Sequence, residues 1–363
     1  MLMWLIAPCQ AEPPASQLRR FEFQRTLMGV PFAAAFYAPD EASANKAIEA
    51  VWARIEHLNS LMSDYDSTSE LMRLCRDSGP GKPIAVSPEL FRVLSKSVEV
   101  SELSDGAFDV SVGPLIKLWR RARRQKELPD PKLLQEAREL VGWKNIKLTT
   151  HQASREASAP GRNAHAEKSP GANARRLTKD CSSGTVELLK SGMKVDLGGI
   201  AVGYAADEAI RVLKQHGITR AMIDGSGDIV VSDPPPNKTG WRIGIASLKE
   251  PDAAPTQFAT LANCSISTSG DAYQFVEVGG QRYSHIVDPK TGLGLTNRCS
   301  VTIIAPDGIT ADALATAVSV LGPERGLKLI ESQPAVAALI VTLEGERPVT
   351  RTSSRWEKLV RTP

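Results

Sequence analysis

The segment Tyr283-Ser-His-Ile-Val-Asp-Pro-Lys-Thr-Gly292 and the nearby Ala311-Asp-Ala-Leu-Ala-Thr316 set one imidazole close in sequence to several hard oxygen donors. Asp312 and Thr316 stand four residues apart, so on a helix they project from one face. A carboxylate and a hydroxyl are oxygen ligands suited to magnesium or calcium. A helix N-terminus nearby opposes a bare cation but favours a phosphate shared with it. The plainer reading has Asp312 capping the helix and Thr316 as a buried polar residue. Upstream, Asp196-Leu-Gly-Gly-Ile-Ala201 is a glycine turn that opens a helix, whose free amides suit a phosphate. Glycine there can also serve turn geometry alone. Asp224-Gly-Ser-Gly227 is equally open, and reads first as a hairpin turn. His285 is one of five histidines. Its side chain type titrates near neutrality and can take a proton from a hydroxyl, although a lone histidine is more often structural. Together the residues suggest a phosphate ester held on a hard divalent metal. The chain has no nucleophile-elbow serine motif or phosphate-binding Walker loop to compete for the site.

Elements must position these groups. Phe21 to Leu27 and Phe32 to Tyr37 read as strands around Met28-Gly29. From about Glu41, the apolar residues Ile48, Val51, Trp52, Ile55, Leu58 and Met62 recur at helical spacing and predict one buried face. A short helix follows the break at Asp64–Ser69. Ser87-Pro88 starts another, which Gly106 stops. Pro114 starts a basic helix. A helix from about Ile200 to His216 carries Gly203 and Ala206, small enough for close approach of another element. Hairpins are expected around residues 224–227 and around Gly279-Gly280. An alanine-rich helix should run from about Ala311 to Gly322-Pro323, and two strands should close the chain. Antiparallel strands between helices give an α+β class.

Composition narrows the function. Of 363 residues, 42% are hydrophobic, normal for a globular protein, and the net charge of +3 gives no global field for nucleic acid. The basic run from Lys117 to Lys126 reads as a solvated helix face, with a docking patch for an acidic partner as the sharper alternative. Five scattered cysteines argue against zinc and against a full disulfide framework. Residues 1–19 form an apolar start and a polar tether. A truncated signal segment is the favoured reading, and Leu5-Ile-Ala-Pro-Cys9 is a loose lipoprotein-like alternative. Residues 151–180 lack aromatics and carry only Leu177 as a large apolar residue, so they read as a disordered insertion. The flanking strands are expected at Asn145 to Leu148 and Thr185 to Leu189.

The motifs keep one order along the chain. They include Met28-Gly29, Met62-Ser-Asp-Tyr65, Gly106-Ala-Phe-Asp109 with Val112-Gly-Pro-Leu115, and Val195-Asp-Leu-Gly-Gly-Ile-Ala201 with Asp207. Gly227-Asp-Ile229, Thr268-Ser-Gly-Asp271 and the two segments above complete the series. No piece is specific alone, but in this order the chain resembles the ApbE family, the FAD:protein FMN transferases, from Arg20 onward. The resemblance implies an ApbE-like (T-fold-like) architecture, antiparallel sheets packed with helices in two intimately joined subdomains. It implies one domain over 20–358, interrupted by the 151–180 insertion. The implied reaction is Mg2+-dependent transfer of FMN from FAD to a threonine or serine hydroxyl of a target flavoprotein, with release of AMP. Asp312, Thr316 and the carbonyl of Ala201 would hold the metal, and His285 would be the base. Met28, Tyr65, Asp109, Asp207 and Asp288 would line the FAD site or support its geometry. The acceptor would be a flavoprotein subunit of a membrane redox complex. That places the enzyme in the bacterial periplasm or on the outer face of the cytoplasmic membrane, with a lipid anchor as one form of attachment. Two departures stand out. Val202 occupies the place of the family's usual Lys, which the basic run would have to compensate, and Ser226 replaces a glycine. A metal-dependent FAD pyrophosphatase and a non-catalytic flavin-binding protein are the alternatives.

Overall fold

The computed structural model describes residues 18–150, 183–249, 254–255, 257–270, 274–345 and 347–360. The N-terminal segment and the 151–180 insertion lie outside the described residues, as do Asp271 and Tyr273.

Strands β1 (Arg19–Leu27) and β2 (Val30–Ala38) pair antiparallel in register through Met28-Gly29. Both turn residues have positive φ, 52° and 77°, the twist that matches a tight hairpin. Helix α1 (Glu41–Met62) follows, and every apolar position expected on its inner face is buried. Then come α2 (Glu70–Asp77), β3 (Ile84–Val86) and α3 (Pro88–Leu103), which Ser87 caps by accepting from Leu90 N. The basic helix is α4 (Gly113–Gln125), and α5 (Pro131–Glu139) follows it. Strands β4 (Ile146–Thr150) and β5 (Gly184–Leu188) flank the insertion and join β3 in a small sheet.

After α6 (Ala201–Gln215) the chain enters β6 (Ala221–Gly225) and β7 (Asp228–Val231), the hairpin expected around residues 224–227. The β8 (Trp241–Ile245) and β9 (Gln257–Leu261) hairpin leads to β10 (Cys264–Gly270). A second hairpin, β11 (Phe275–Val278) and β12 (Gln281–Ser284), precedes β13 (Cys299–Ala305). Helix α7 (Gly308–Glu331), β14 (Ala337–Glu344), β15 (Arg347–Thr352) and a short α8 (Trp356–Leu359) complete the chain.

The main sheet has the order β1-β2-β6-β7-β10-β13-β14-β15, and every pair in it is antiparallel. Alternate residues feed its two faces. Ala34, Ile303 and Ala338 join the core beneath α1, α6 and α7, while Ala35, Ile304 and Leu339 pack with Trp241, Leu261 and Trp356. A third cluster of Leu115, Trp119, Ala137, Val276 and Val287 fastens α4 and α5 to the β11–β12 region.

The alanine-rich helix departs from expectation at both ends. It begins at Gly308 with Asp307 as its cap, Oδ1 accepting from Thr310 N at 3.0 Å. Asp312 therefore caps nothing and points from the second turn. The helix also continues past Gly322-Pro323. Gly322 takes a non-helical conformation (φ 74°) that kinks the axis, and proline fits the first turn of the segment that resumes.

Strands β10 and β13 fall in the middle of the main sheet, although neither is among the elements expected from the sequence. Ser265 and Ser267 of β10 are buried, so the hydrophobic alternation that marks a strand is broken by buried hydroxyls.

Candidate active site

The turns of Met28-Gly29 and Ser226-Gly227, the end of β10 and the start of β13 share one end of the main sheet. The excursion carrying His285 leaves from β10 and returns to β13 at that same end. Chain topology alone thus brings three distant motifs to one rim.

Helices α6 and α7 cross there because two glycines face each other. A Cβ on Gly203 would run into the carbonyl of Gly308, and one on Gly308 would run into the carbonyl of Gly203. This is the close approach that small residues were expected to allow. It sets Gly203 N 3.1 Å from Asp312 Oδ2, as donor to acceptor. Gly199 faces Thr316, where an added Cβ would lie 2.8 Å from Oγ1. Ala201 is buried between them. One helix crossing therefore sets Asp312 against Gly203 and Thr316 against Gly199, on either side of Ala201 in sequence.

Asp312 is buried, and the described residues give it no cationic partner. Burial, with the charges of Asp228 and Asp207, holds its pKa well above the ordinary carboxylate value. Burial and the Asp224 charge push Asp228 up to about 7, although it accepts a hydrogen bond from Ser267 Oγ. Burial and Asp307 push Asp207 up to about 7, against hydrogen bonds from Gly308 N (2.7 Å) and Ile309 N (2.9 Å). Asp207 thus ties α6 to the start of α7 and supports the geometry. Among the described residues, no three His, Cys, Asp or Glu side chains converge as a metal cage. The proposed ligand set needs only one carboxylate with a hydroxyl and a carbonyl, and the hard oxygen chemistry fits Mg2+.

The glycine turn is bonded largely to itself. Gly198 N donates to Asp196 Oδ1 at 2.9 Å, and Ile200 N and Ala201 N both donate to Leu197 O. With Gly203 N taken by Asp312, most of the amides expected to meet a phosphate are engaged. Val202 packs against Gly225 and the core, so no cation stands in its place. The basic helix is not simply a solvated face. Arg120 pairs with Asp64 and, at 2.9 Å, with Asp196 Oδ2, and its guanidinium lies 4.3 Å over the Tyr65 ring. Tyr65 is 79% exposed, an aromatic face with a cation on one side.

The second half of the site surrounds His285, at the end of β12. Both its backbone N (2.9 Å) and its Nδ1 (3.1 Å) meet the carbonyl of Gln274. A proton on Nδ1, donated to that carbonyl, puts the lone pair on Nε2. Asp288 builds the following turn by accepting from Lys290 N at 2.8 Å, while its carbonyl accepts from Gly292 N. Trp119 Nε1 donates to Gly292 O at 2.8 Å and Arg138 Nη2 to Lys290 O at 2.7 Å, fixing this turn on α4 and α5. Beside it is a cavity of about 760 Å³ bordered by Gly106, Asp109, Trp143, Pro289 and Lys290. Asp109 is spent internally, accepting from Ser111 N, Ser111 Oγ and Trp143 N. Met28 sits at the β1–β2 turn and packs on the core.

The model of the ApbE family matches residues 28–340, most of the chain. The chain belongs to the ApbE family. It is an enzyme of that family, with the α+β fold the resemblance implied. An FAD:protein FMN transferase of Treponema pallidum is 30% identical over 83% of this chain and 78% of that protein. One of Haemophilus influenzae is 28% identical over 88% of this chain and 85% of its own length. The solved flavin transferase ApbE from Vibrio cholerae superposes with a TM-score of 0.77 at 26% identity, covering 94% of this chain and 100% of that one. The ApbE protein of Thermotoga maritima gives 0.76 at 26% identity, covering 95% and 100%.

Sequence reasoning gave no role to Asp228 or Arg120. Asp228 stood inside a quoted motif, and its acidic side chain beside a glycine turn was the available signal. Arg120 was hidden in a basic run, where nothing separates a paired arginine from a solvated one.

Proposed function

We propose that this chain transfers FMN from FAD to a threonine or serine hydroxyl of a flavoprotein, with Mg2+ held by Asp312, Thr316 and the Ala201 carbonyl. The hydroxyl oxygen forms a bond to the FMN phosphorus, the pyrophosphate bond to AMP breaks, and AMP leaves. His285 takes the hydroxyl proton, and the Gln274 carbonyl keeps its basic nitrogen as Nε2. The bound cation would neutralise the pyrophosphate and the charge developing on the leaving AMP. Tyr65 offers a flat face for an aromatic ring, and the cavity beside Asp109 and Pro289 is of nucleotide scale.

One observation carries the reading: Asp312 is buried, feels the charges of Asp228 and Asp207, and makes no ion pair among the described residues. A site that isolates negative charge in this way invites a cation. The names of the relatives supply the substrates. The acceptor is proposed as a subunit of a membrane redox complex, and the enzyme as periplasmic or attached to the outer face of the cytoplasmic membrane through residues 1–19. Support for this is the family resemblance and the apolar start of the chain; no helix of the described residues is long and apolar enough to cross a membrane.

Incubation with FAD, Mg2+ and a candidate acceptor tests the proposal. AMP release matched by an acceptor mass gain equal to FMN less one water supports transfer. AMP with free FMN and an unmodified acceptor would mean a pyrophosphatase. FAD binding without AMP would mean a binding protein.

A further inference from the structure

Two neighbouring residues of α4 reach opposite halves of the site. Trp119 is buried, donates to Gly292 O and lies against Tyr283, with ring centroids 5.3 Å apart. It clamps the turn that follows His285. Arg120, the next residue, reaches the other way. Its Nη2 donates to Asp196 Oδ2 at 2.9 Å, and its Nη1 pairs with Asp64. The other oxygen of Asp196 accepts from Gly198 N at 2.9 Å. Gly199 in turn abuts Thr316 Oγ1. An unbroken run of contacts therefore leads from α4 through Asp196 and the glycine turn to Thr316.

The pairing is no ordinary surface ion pair. The side chains of Arg120, Asp64 and Asp196 are 23%, 21% and 11% exposed. A planar guanidinium can hold two carboxylates in a fixed relation, which a flexible ammonium does less well. Burial and the Asp64 charge push Asp196 up to about 6, while the Arg120 charge favours its ionised form. Arg120 bonds both carboxyl groups, and Asp196 in turn holds Gly198 N of the turn. The same guanidinium covers one face of Tyr65.

We propose that Arg120 is a positioning residue that sets the Asp196–Gly199 turn against Thr316 and holds Tyr65 in place, while Trp119 fixes the histidine half to the same helix. The proposal rests on the flavin-transfer reading for its kinetic consequences, but not for its structural ones. Arg120 touches no reacting atom. It acts through Asp196 and Tyr65 on how substrate is held.

Three variants test this: Arg120→Ala, Arg120→Gln and Arg120→Lys. Amide hydrogen exchange is measured across residues 196–204 without added metal or FAD, and AMP release is measured with FAD varied. Loss of a hydrogen bond between charged groups should speed exchange at Gly198, whose amide Asp196 holds, about tenfold in the Ala and Gln variants. The KM for FAD should rise about tenfold with kcat within about threefold, since uniform binding is lost rather than a transition-state contact. Arg120→Lys should recover most of the KM and part of the exchange protection. Unchanged exchange and unchanged KM in Gln would overturn the proposal. So would a Lys variant as impaired as Ala, or a loss confined to melting temperature. If Arg120→Ala fails to fold, Gln and Lys decide. If the wild-type enzyme releases no AMP from FAD, the functional reading fails, and the exchange data alone judge Arg120.

Discussion

Asp207 and Glu208 are neighbours on α6 and face opposite fates. Glu208 turns toward α1 and α3, where Arg54 Nη2 lies 2.5 Å from Oε2 and Arg211 Nη2 2.8 Å away, and Arg54 also binds Glu89. Burial opposes its charge, yet hydrogen bonds from Arg211 and Arg54 prevail and its pKa is lowered. Asp207 turns toward α7, has only backbone amides, and is pushed up to about 7 by burial. One face of the helix is closed by ion pairs and has nothing left to bind. The other carries Asp207 toward Asp312, and neither makes an ion pair among the described residues, Arg92 acting on Asp207 through its charge alone. Uncompensated charge separates a binding face from a structural one more clearly than the number of acidic residues does.

Breaking the uncompensated side at its centre should have the largest effect. Asp312→Ala should abolish Mg2+-dependent AMP release, a loss of at least about 10³-fold, consistent with several kcal/mol of charge stabilisation by a bound ion. The melting temperature without metal should hold or rise, because a buried unpaired carboxylate is removed. Activity close to wild type would remove the metal site. His285→Ala comes next. A positioned base contributes about 10²- to 10⁴-fold, so transfer to the acceptor should slow by that much while FAD affinity stays within a few-fold. Full transfer by a folded variant would return His285 to a structural role. Thr316→Val preserves shape and removes one oxygen. The Mg2+ concentration for half-maximal AMP release should rise about tenfold, the scale of one lost hydrogen-bonding or ligand contact; an unchanged titration would free Thr316 from the ligand set.

The smallest effect sharpens the contrast itself. Asp207 and Asp228 have pKa values raised from 3.8 to about 7, so the folded chain keeps protons that the unfolded chain has released. Metal-free stability on their account falls as pH rises from about 4 to about 7, then levels. Glu208 has the opposite sign: its contribution is present above 4.5 and is lost as pH falls through its lowered pKa. Asp228→Asn should flatten the neutral limb of the melting profile and Glu208→Gln the acid limb, each on the order of 2 °C. Mg2+ should raise the melting temperature more at pH 8 than at pH 5.5, since protons compete for the same oxygens. Equal stabilisation at both pH values would mean that the cation binds elsewhere.

The sequence by itself determined the elements whose signals are local. The stripe from Ile48 to Met62 makes α1 helical because its spacing matches a helical turn. Met28-Gly29 makes a hairpin because Gly29 takes positive φ without steric cost and a two-residue turn suffices to reverse the chain. The spacing of Asp312 and Thr316 put them on one helix face, and the ordered motifs carried the family. Tertiary structure decided what those residues meet. Asp307 rather than Asp312 caps α7, since capping depends on where the backbone enters the helix. Ser267 lies buried in a central strand because its hydroxyl is satisfied by a partner far along the chain, Asp228. Arg120 is paired and half-buried while its neighbours in the basic run look alike in sequence, because pairing depends on what packs opposite. The acidic neighbourhood of Asp312 forms where Gly203 and Gly308 let two helices touch. Its raised pKa values follow from removing water around charges that the sequence leaves far apart.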